Sequence, residues 1–547
     1  MVSLDDGLEI CVEDEVNQDI EGYIQNFMWR QIRDKSRADE ARDEIVSKSH
    51  GNFQWVVLVV PRVLQMCRRG RYREIKKIIQ AIPSDLGELY KSLLEEVTDD
   101  DLPRTLKLIQ WICFAQEPLS LGELRIATVV DMNTPYRSIR ECQEDERYAD
   151  TDEEMARRVV DLSKGLAEVR EHNGKRVAQF NHQSVKDYII EGGLQILTKL
   201  SSGSAAGRAH FQLSRSCIKY INMDEIMTCR VKPTGAFNGG VRLRQMWALE
   251  GQFPFLRYAV KSWVPHAQGV ERASLSQEDL LSYFHEPSRK LLQHWIDIEE
   301  SLSGDSEHTG ATLLHVASYF NLHSVVEALL NLDNIDANPK NPHGTSPLHY
   351  AAEKGHEAIV RLLLKRKDIK VNLRDVNRRT PLSYASWNGH ETVVRLLLER
   401  AEIEADSKDD RDQTPLHIAA ANGHETTVRL LLERSNVDAN SKDYYGFTPL
   451  DNAARGRHKT VVRMLLEQKD VEADFKDDQD RTPLSHAAGE GDLADTVVEL
   501  LLKRNNVDVN FKDAKGRTPL SYAASKGDKA ETVVGCSTIT LRRTPRT

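Results

Sequence analysis

The chain has 547 residues, of which 40% are hydrophobic and 29% charged, and carries a formal net charge of −10. That length exceeds what one hydrophobic core organises, so three or four domains are expected. The acidic balance speaks against a surface built to neutralise nucleic-acid phosphates, and the longest apolar run, Trp55 to Val60, stops at Pro61, far too short to cross a bilayer.

Cysteines at 11, 67, 113, 142, 217, 229 and 536 are scattered, with no pair at metal-ligand spacing. They read as buried thiols in a reducing compartment, with no metal site and no cofactor implied. Met1-Val2-Ser3-Leu4-Asp5-Asp6 lacks the basic and apolar regions of a signal peptide. The expected location is cytoplasmic, without a membrane partner.

Residues 1–95 read as a helical subdomain. Asp39-Glu40-Ala41 opens a helix that leads through Ile45 and Val46 to a break at Gly51-Asn52. Phe53 to Val60 is apolar almost all round, which fits a buried segment. Arg68-Arg69-Gly70-Arg71-Tyr72-Arg73, with Lys76 and Lys77, reads as a solvated loop and helix face rather than a nucleic-acid patch. Ser84 is positioned to cap the next helix, whose Leu89, Leu93 and Leu94 point inward.

Residues 96–200 carry a helix around Ile109–Ala115, a turn, and a second helix from Pro118-Leu119-Ser120-Leu121. A charged stretch, Glu141–Glu154, is expected to be mobile. Leu162–Val169 and Val177–Phe180 then form two strands joined at Asn173-Gly174. Helix, helix and hairpin together make a winged helix. The run from Gly7-Leu8-Glu9-Ile10 through Pro83-Ser84-Asp85-Leu86 to Phe180-Asn181-His182-Gln183-Ser184-Val185-Lys186-Asp187-Tyr188 resembles the back half of fungal NACHT-type regulatory NTPases, whose winged helix also goes by the name of the GPI inositol-deacylase winged-helix domain.

Residues 201–304 form a helical connector; Pro254-Phe255-Leu256-Arg257-Tyr258-Ala259, with Trp263 and His266, resembles the segment that joins such modules to repeats. The resemblance implies a nucleotide-binding Gly-x-x-x-x-Gly-Lys-Ser/Thr loop, and no such loop occurs in the chain. No hydrolysis is therefore expected from this polypeptide alone, although a nucleotide-dependent switch with its phosphate loop outside the chain remains the alternative. In the resembled family a histidine at this winged-helix position touches the phosphates of bound ADP, a role that would fall on His182. The resemblance also allows self-association through the NACHT-like part. His182, Ser184 and Asp187 do not form a triad signature, because triad members are normally distant in sequence. DNA binding by the winged helix would need basic residues on its second helix, which offers Glu123 and Arg125 ahead of the acidic 141–154 stretch.

From residue 305 to 535 one phrase recurs: Thr312-Leu313-Leu314-His315, Ser346-Pro347-Leu348-His349, Thr380-Pro381-Leu382-Ser383, Thr414-Pro415-Leu416-His417, Thr448-Pro449-Leu450-Asp451, Thr482-Pro483-Leu484-Ser485 and Thr518-Pro519-Leu520-Ser521. The step is 34 residues five times and then 36, the mark of a stacked array. In the unit at Thr414, the threonine caps a helix and Pro415 fits its first turn. Ala419 and Ala420 admit a close neighbour, Gly423 ends the helix in the left-handed region, and Val428, Leu431 and Leu432 line a second helix. These phrases resemble the ankyrin repeat in seven copies, which implies a protein-binding scaffold and not an active site.

The fold class expected is mainly α: helical subdomain, winged helix, connector, ankyrin solenoid. Binding residues are expected where repeats differ. At the hairpin tips these are Pro342, His343 and Thr345; Val376, Asn377 and Arg379; Asp410, Arg411 and Gln413; and Tyr444, Tyr445 and Phe447, joined by Trp387 and Asn388 on a first helix. Phe447 has a second reading, as packing on the next hairpin. In the last unit Glu531-Thr532-Val533-Val534 runs into Gly535-Cys536-Ser537-Thr538-Ile539-Thr540, poor helix formers, and the basic tail 536–547 is expected to be disordered. That half-built unit is expected to fray, exposing Leu500 and Leu501.

Overall fold

The computed structural model describes residues 12–28, 35–68, 74–198, 205–229, 248–284, 289–304, 308–489, 495–504 and 507–525. The basic run at 69–73, Glu531–Thr540 and the tail lie outside the described residues. The chain is mainly helical and divides into two units, Met1–Leu275 and Ser276–Thr547.

In the first unit, α1 (Val12–Met28), α2 (Lys35–Ser49) and α4 (Ile75–Ala81) pack around α3 (Phe53–Arg68). The apolar run makes α3 the centre: Trp55, Val56, Val59 and Val60 are fully buried, and the Trp55 indole N–H donates to the Pro83 carbonyl at 2.6 Å. At α5 (Leu86–Glu95) the cap is Asp85 rather than Ser84. Its carboxylate accepts from the Glu88 amide at 3.0 Å, and a negative charge suits a helix N-terminus better than a hydroxyl.

Next come α6 (Leu102–Phe114), α7 (Leu121–Ala127), α8 (Ile139–Gln143), α9 (Asp152–Leu162) and an antiparallel hairpin, β1 (Ala167–His172) with β2 (Lys175–Phe180). Ser120 and Glu123 close a capping box on α7. Asn173 (φ 50°) and Gly174 (φ 73°) supply the left-handed pair that a two-residue hairpin turn needs.

Two expectations fail here. Glu141–Glu154 is a fastened segment: Arg147 Nε donates to Asp145 at 2.9 Å, Arg125 Nε to the Ala149 carbonyl at 2.6 Å, and Tyr136 also bonds Asp145. The charges that suggested mobility are paired with one another. Leu162 ends a helix instead of starting a strand, because Thr151 caps α9 and Met155 and Val159 bury one helical face.

After β2, α10 (Gln183–Tyr188) passes through one π-helical turn, Ile189–Gly193, into α11 (Leu194–Thr198). The unit closes with α12 (Ala205–Ile221) against α13 (Leu256–Arg272). Trp111 of α6 meets Phe255 and Tyr258 edge-on at 5.4 and 5.7 Å. A buried chain runs from His210 through His266 to the Tyr258 hydroxyl, each link 2.9 Å. Burial lowers the His210 imidazole to about 4 and His266 to about 3, so both are neutral. Cys113, Cys142 and Cys217 are buried free thiols.

In the second unit, α14 (Asp279–Phe284) and α15 (Arg289–Ser303) precede seven repeats. First helices begin at Leu313, Pro347, Pro381, Pro415, Pro449, Pro483 and Pro519. Second helices run His323–Leu330, Glu357–Lys365, Glu391–Leu398, Glu425–Leu432, Lys459–Glu467 and Asp495–Leu502. Each first helix is capped by its Thr or Ser, and Leu382, Leu416, Val428 and Leu431 are completely buried.

Two sets of histidines stitch neighbouring repeats together. In the first, His417 Nδ1 accepts from the Thr414 amide at 3.2 Å, which leaves the proton on Nε2, and Nε2 donates to the Phe447 carbonyl of the next repeat at 3.0 Å. His315 and His349 do the same toward Thr345 and Arg379. Burial lowers all three to about 4. In the second set, His356, His390, His424 and His458 donate backward to Tyr319, Glu353, Trp387 and Ala421. The ring of His458 crosses Gly423, where a Cβ would lie 2.4 Å from Nδ1, and Gly423 has φ +75°, as a helix-ending glycine should.

Candidate functional site

The first hairpin is built on Asn341, whose Oδ1 accepts from Thr345 N at 2.9 Å, and the later ones on an aspartate. The Oδ1 of Asp375 accepts from Asn377 N and Arg379 N; Asp409 serves Arg411 and Gln413, and Asp443 serves Tyr445 and Phe447 in the same way. The tips are then joined to one another. Val376 N donates to His343 O, Asp410 N to Asn377 O, Tyr444 N to Arg411 O and Asp478 N to Tyr445 O, at 2.8 to 3.3 Å. This ribbon holds the variable side chains in a row, so little ordering remains to be done when something docks there.

Along that row Val376 is 63% exposed, Tyr444 66% and Tyr445 56%, and Trp387 on its first helix is 48% exposed. Pro342, His343, Asn377, Asn388, Asp410 and Arg411 are exposed, while Arg379 and Gln413 are half-buried. Thr345 and Phe447 are buried. Thr345 is turned in because its carbonyl and amide serve the His315 and Asn341 bonds.

Phe447 lies beneath its hairpin. The Arg455 guanidinium stands 4.7 Å from its ring centroid, and the His486 ring meets it edge-on at 5.0 Å. It thus packs on the next hairpin's repeat rather than standing free at the tip.

Phe447 is the floor of a cavity of about 410 Å³ walled by Tyr445, Arg411, Arg455 and Asn452, with the next tip, Asp478 to Arg481, on its far side. Asn452, Arg455 and the 478–481 tip were missed from sequence. A column-by-column alignment of the repeats shows the signal: Arg455 holds the position of Trp387, and Asn452 that of Ile418. A smaller cavity of about 150 Å³ adjoins Trp387, Asn388 and Arg379, where the Arg379 guanidinium lies 5.3 Å from the indole.

Behind the larger cavity, Asp451 replaces the bridging histidine. It is completely buried, accepts from Thr448 N and Oγ1 through Oδ2 at 2.8 and 2.7 Å, and is raised by burial to about 7. Asp477 is depressed to about 2 by its bonds from His486 and Arg481 and from backbone amides, which outweigh its own desolvation.

His182 sits elsewhere, as the cap of α10. Its Nδ1 accepts from Ser184 N at 3.1 Å and pairs with Ser184 Oγ at 2.7 Å. It lines a cavity of about 340 Å³ between α6, β2 and α10, with Gln183 and Lys186. Among the described residues no group of three or more His, Cys, Asp or Glu could hold a metal, and no helix is long and apolar enough to cross a membrane.

Comparison with known proteins gives a family model described as ankyrin repeats, matching residues 286–375, 314–409, 382–477 and 468–537. The azaphilone pigments biosynthesis cluster protein L of Monascus ruber is 22% identical over 229 residues, covering 41% of this chain and 44% of that protein. The chain therefore spans less than half the length of this relative. The human ASB11 ankyrin repeat domain is similar at 26% identity over 43% of this chain and 100% of that one, with a TM-score of 0.37. The ankyrin repeat domain of Bcl-3, a unique member of the IkappaB protein family, is similar at 24% identity over 42% and 99%, with a TM-score of 0.36. The C-terminal part of this chain is an array of ankyrin repeats, a scaffold for protein–protein interaction.

Proposed function

We propose that the chain is a non-catalytic scaffold that holds a protein partner along the hairpin tips and first helices of its repeats, in the region of Val376, Trp387, Tyr444 and Tyr445. The observation that carries this reading is the row of exposed apolar and aromatic side chains fixed on a hydrogen-bonded ribbon. Aromatic anchors on a rigid base are the usual source of interface energy, since they bury much area and lose little freedom. A photo-crosslinking amino acid placed at Tyr444 or at Val376 of the full chain in living cells should trap one and the same protein. The same probe at Arg429 or Arg463, on second helices, should not. Trapping only from the second-helix positions would overturn the assignment.

In this reading residues 1–95 are the helical remnant of a NACHT-like regulatory module and residues 96–200 its winged helix, formed by α6, α7 and the β1–β2 hairpin. Helix, turn, helix and hairpin in that order, with Ser120 and Asn173-Gly174 at the joints, support it. Its role would be to relay the binding event in non-self recognition signalling, with His182 as the phosphate contact of a nucleotide held elsewhere. Titration of the full chain with ADP, followed by the ring resonances of His182, tests that contact: no perturbation at saturating ADP would exclude it.

A further inference from the structure

We propose that the cavity over Phe447 is a receptor for a carboxylate side chain, a glutamate or aspartate in an extended segment of the protein partner. This rests on the reading of the repeat face as a protein-binding surface and names the chemistry of what docks there.

The cavity has more donors than it uses. Neither Arg411 nor Arg455 has a carboxylate within ion-pair distance among the described residues, although both line the same space. Arg481, on the far wall, is committed to Asp477 at 2.7 Å. Asn452 is 7% exposed and lines the cavity, yet its Nδ2 has no hydrogen-bond partner. A buried amide left unpaired is costly, and an acceptor entering the cavity would relieve that cost.

The carboxylates nearby do not fill the need. Asp443 spends Oδ1 on two backbone amides, and its Oδ2 faces Gln413 Nε2 at 3.4 Å. Asp478 is an exposed tip residue whose Oδ1 sits over Gly446. Two guanidiniums without a carboxylate partner, Arg411 and the Arg455 that stands over Phe447, and a buried amide line one space, and a planar carboxylate is what guanidinium forks match in pairs. The Phe447 ring below and the Tyr445 ring, 6.0 Å away between centroids, give the methylenes of an acidic side chain an apolar wall. Tyr445 lines the cavity and its ring meets that of the exposed Tyr444 at 5.2 Å; a free small anion would leave this pair uncovered, so the occupant is a residue of a protein chain.

The test is to pan a library of random dodecapeptides on the full chain and on an R411E/R455E chain. Both arginines are exposed, so the variant should fold, and unchanged hydrogen exchange in the first helix of that repeat confirms it. Peptides enriched on the unaltered chain should share an Asp or Glu at one fixed position and bind R411E/R455E about thirtyfold or more weakly. The variant should enrich peptides with Lys or Arg at that position. N452I, which installs the side chain of the Ile418 column, should weaken the acidic peptides several-fold.

Enriched peptides with no fixed acidic residue, lost on Y444A/Y445A but not on R411E/R455E, would overturn the carboxylate assignment and leave the scaffold reading standing. Enrichment of no peptide at all would count against both. Stabilisation by inorganic phosphate or ATP that R411E/R455E abolishes would assign the cavity to a free anion and overturn the proposal.

Discussion

Replacing His417 with serine should cost stability at neutral pH and cost much less in acid. At pH 7 the variant loses the Nε2 bond to the Phe447 carbonyl, worth about 1 kcal/mol. It also leaves part of a completely buried imidazole site empty, worth about 2 kcal/mol. The cap itself survives, because Ser383 fills that role in the repeat before it, 3.3 Å from the Thr380 amide. The net loss is about 3 kcal/mol.

The imidazole of His417 is lowered from 6.5 to about 4 in the fold, so the unfolded chain binds the proton more readily. Stability from this group is complete above 6.5 and is lost as pH falls from 6.5 to about 4. At about pH 4.5 the unaltered chain should have lost about 2.5 kcal/mol here, while serine has nothing to titrate. The two chains should therefore differ by only about 0.5 kcal/mol. Hydrogen exchange of amides in Pro415–Asn422 and Glu425–Leu432, at neutral pH and at about pH 4.5, measures the difference. A gap of equal size at both pH values would show that the histidine is not held neutral by the packing described.

Further outcomes follow from the same geometry. Asp451, raised to about 7, favours the protonated form in the fold, so its repeat should gain stability as pH falls from about 7 to about 4, while the repeats of His315, His349 and His417 lose it; exchange resolved by repeat checks the opposite signs. G423A should destabilise by about 3 kcal/mol in a urea titration followed by exchange, since it combines a left-handed alanine with a Cβ on the His458 ring, and a loss under about 0.5 kcal/mol would refute the close approach. In the last repeat Leu520 is 39% exposed, where Leu382, Leu416 and Leu450 are 0 to 1%. Amides from Thr518 onward should exchange far faster than those of the repeats at Thr380 and Thr414, and equal protection would refute independent fraying.

The repeats were legible because each phrase states its own chemistry: a hydroxyl to cap, a proline at the first turn, a leucine to bury and a glycine to end. Register came with the period. What the sequence did not disclose lies between repeats. That His417 bridges to Phe447 depends on a carbonyl thirty residues on, and that Phe447 turns inward depends on Arg455 and His486 of two different repeats. The charged stretch 141–154 misled for the same reason, since Arg125 and Arg158 fasten it from flanking helices while Arg147 within it pairs with Asp145. The exposure of Val376, Trp387, Tyr444 and Tyr445 follows from the column comparison, whereas the donor surplus around Asn452 arises only where the side chains of neighbouring repeats meet.

The most direct test of the scaffold account is the affinity of the cross-linked partner for the full chain and for its Y444A/Y445A variant. Two exposed anchors removed from a rigid ribbon should weaken binding by about thirtyfold or more, with hydrogen exchange in Pro449–Arg455 and Lys459–Glu467 unchanged. Undiminished affinity, or a loss that appears only with faster exchange in those helices, would contradict it.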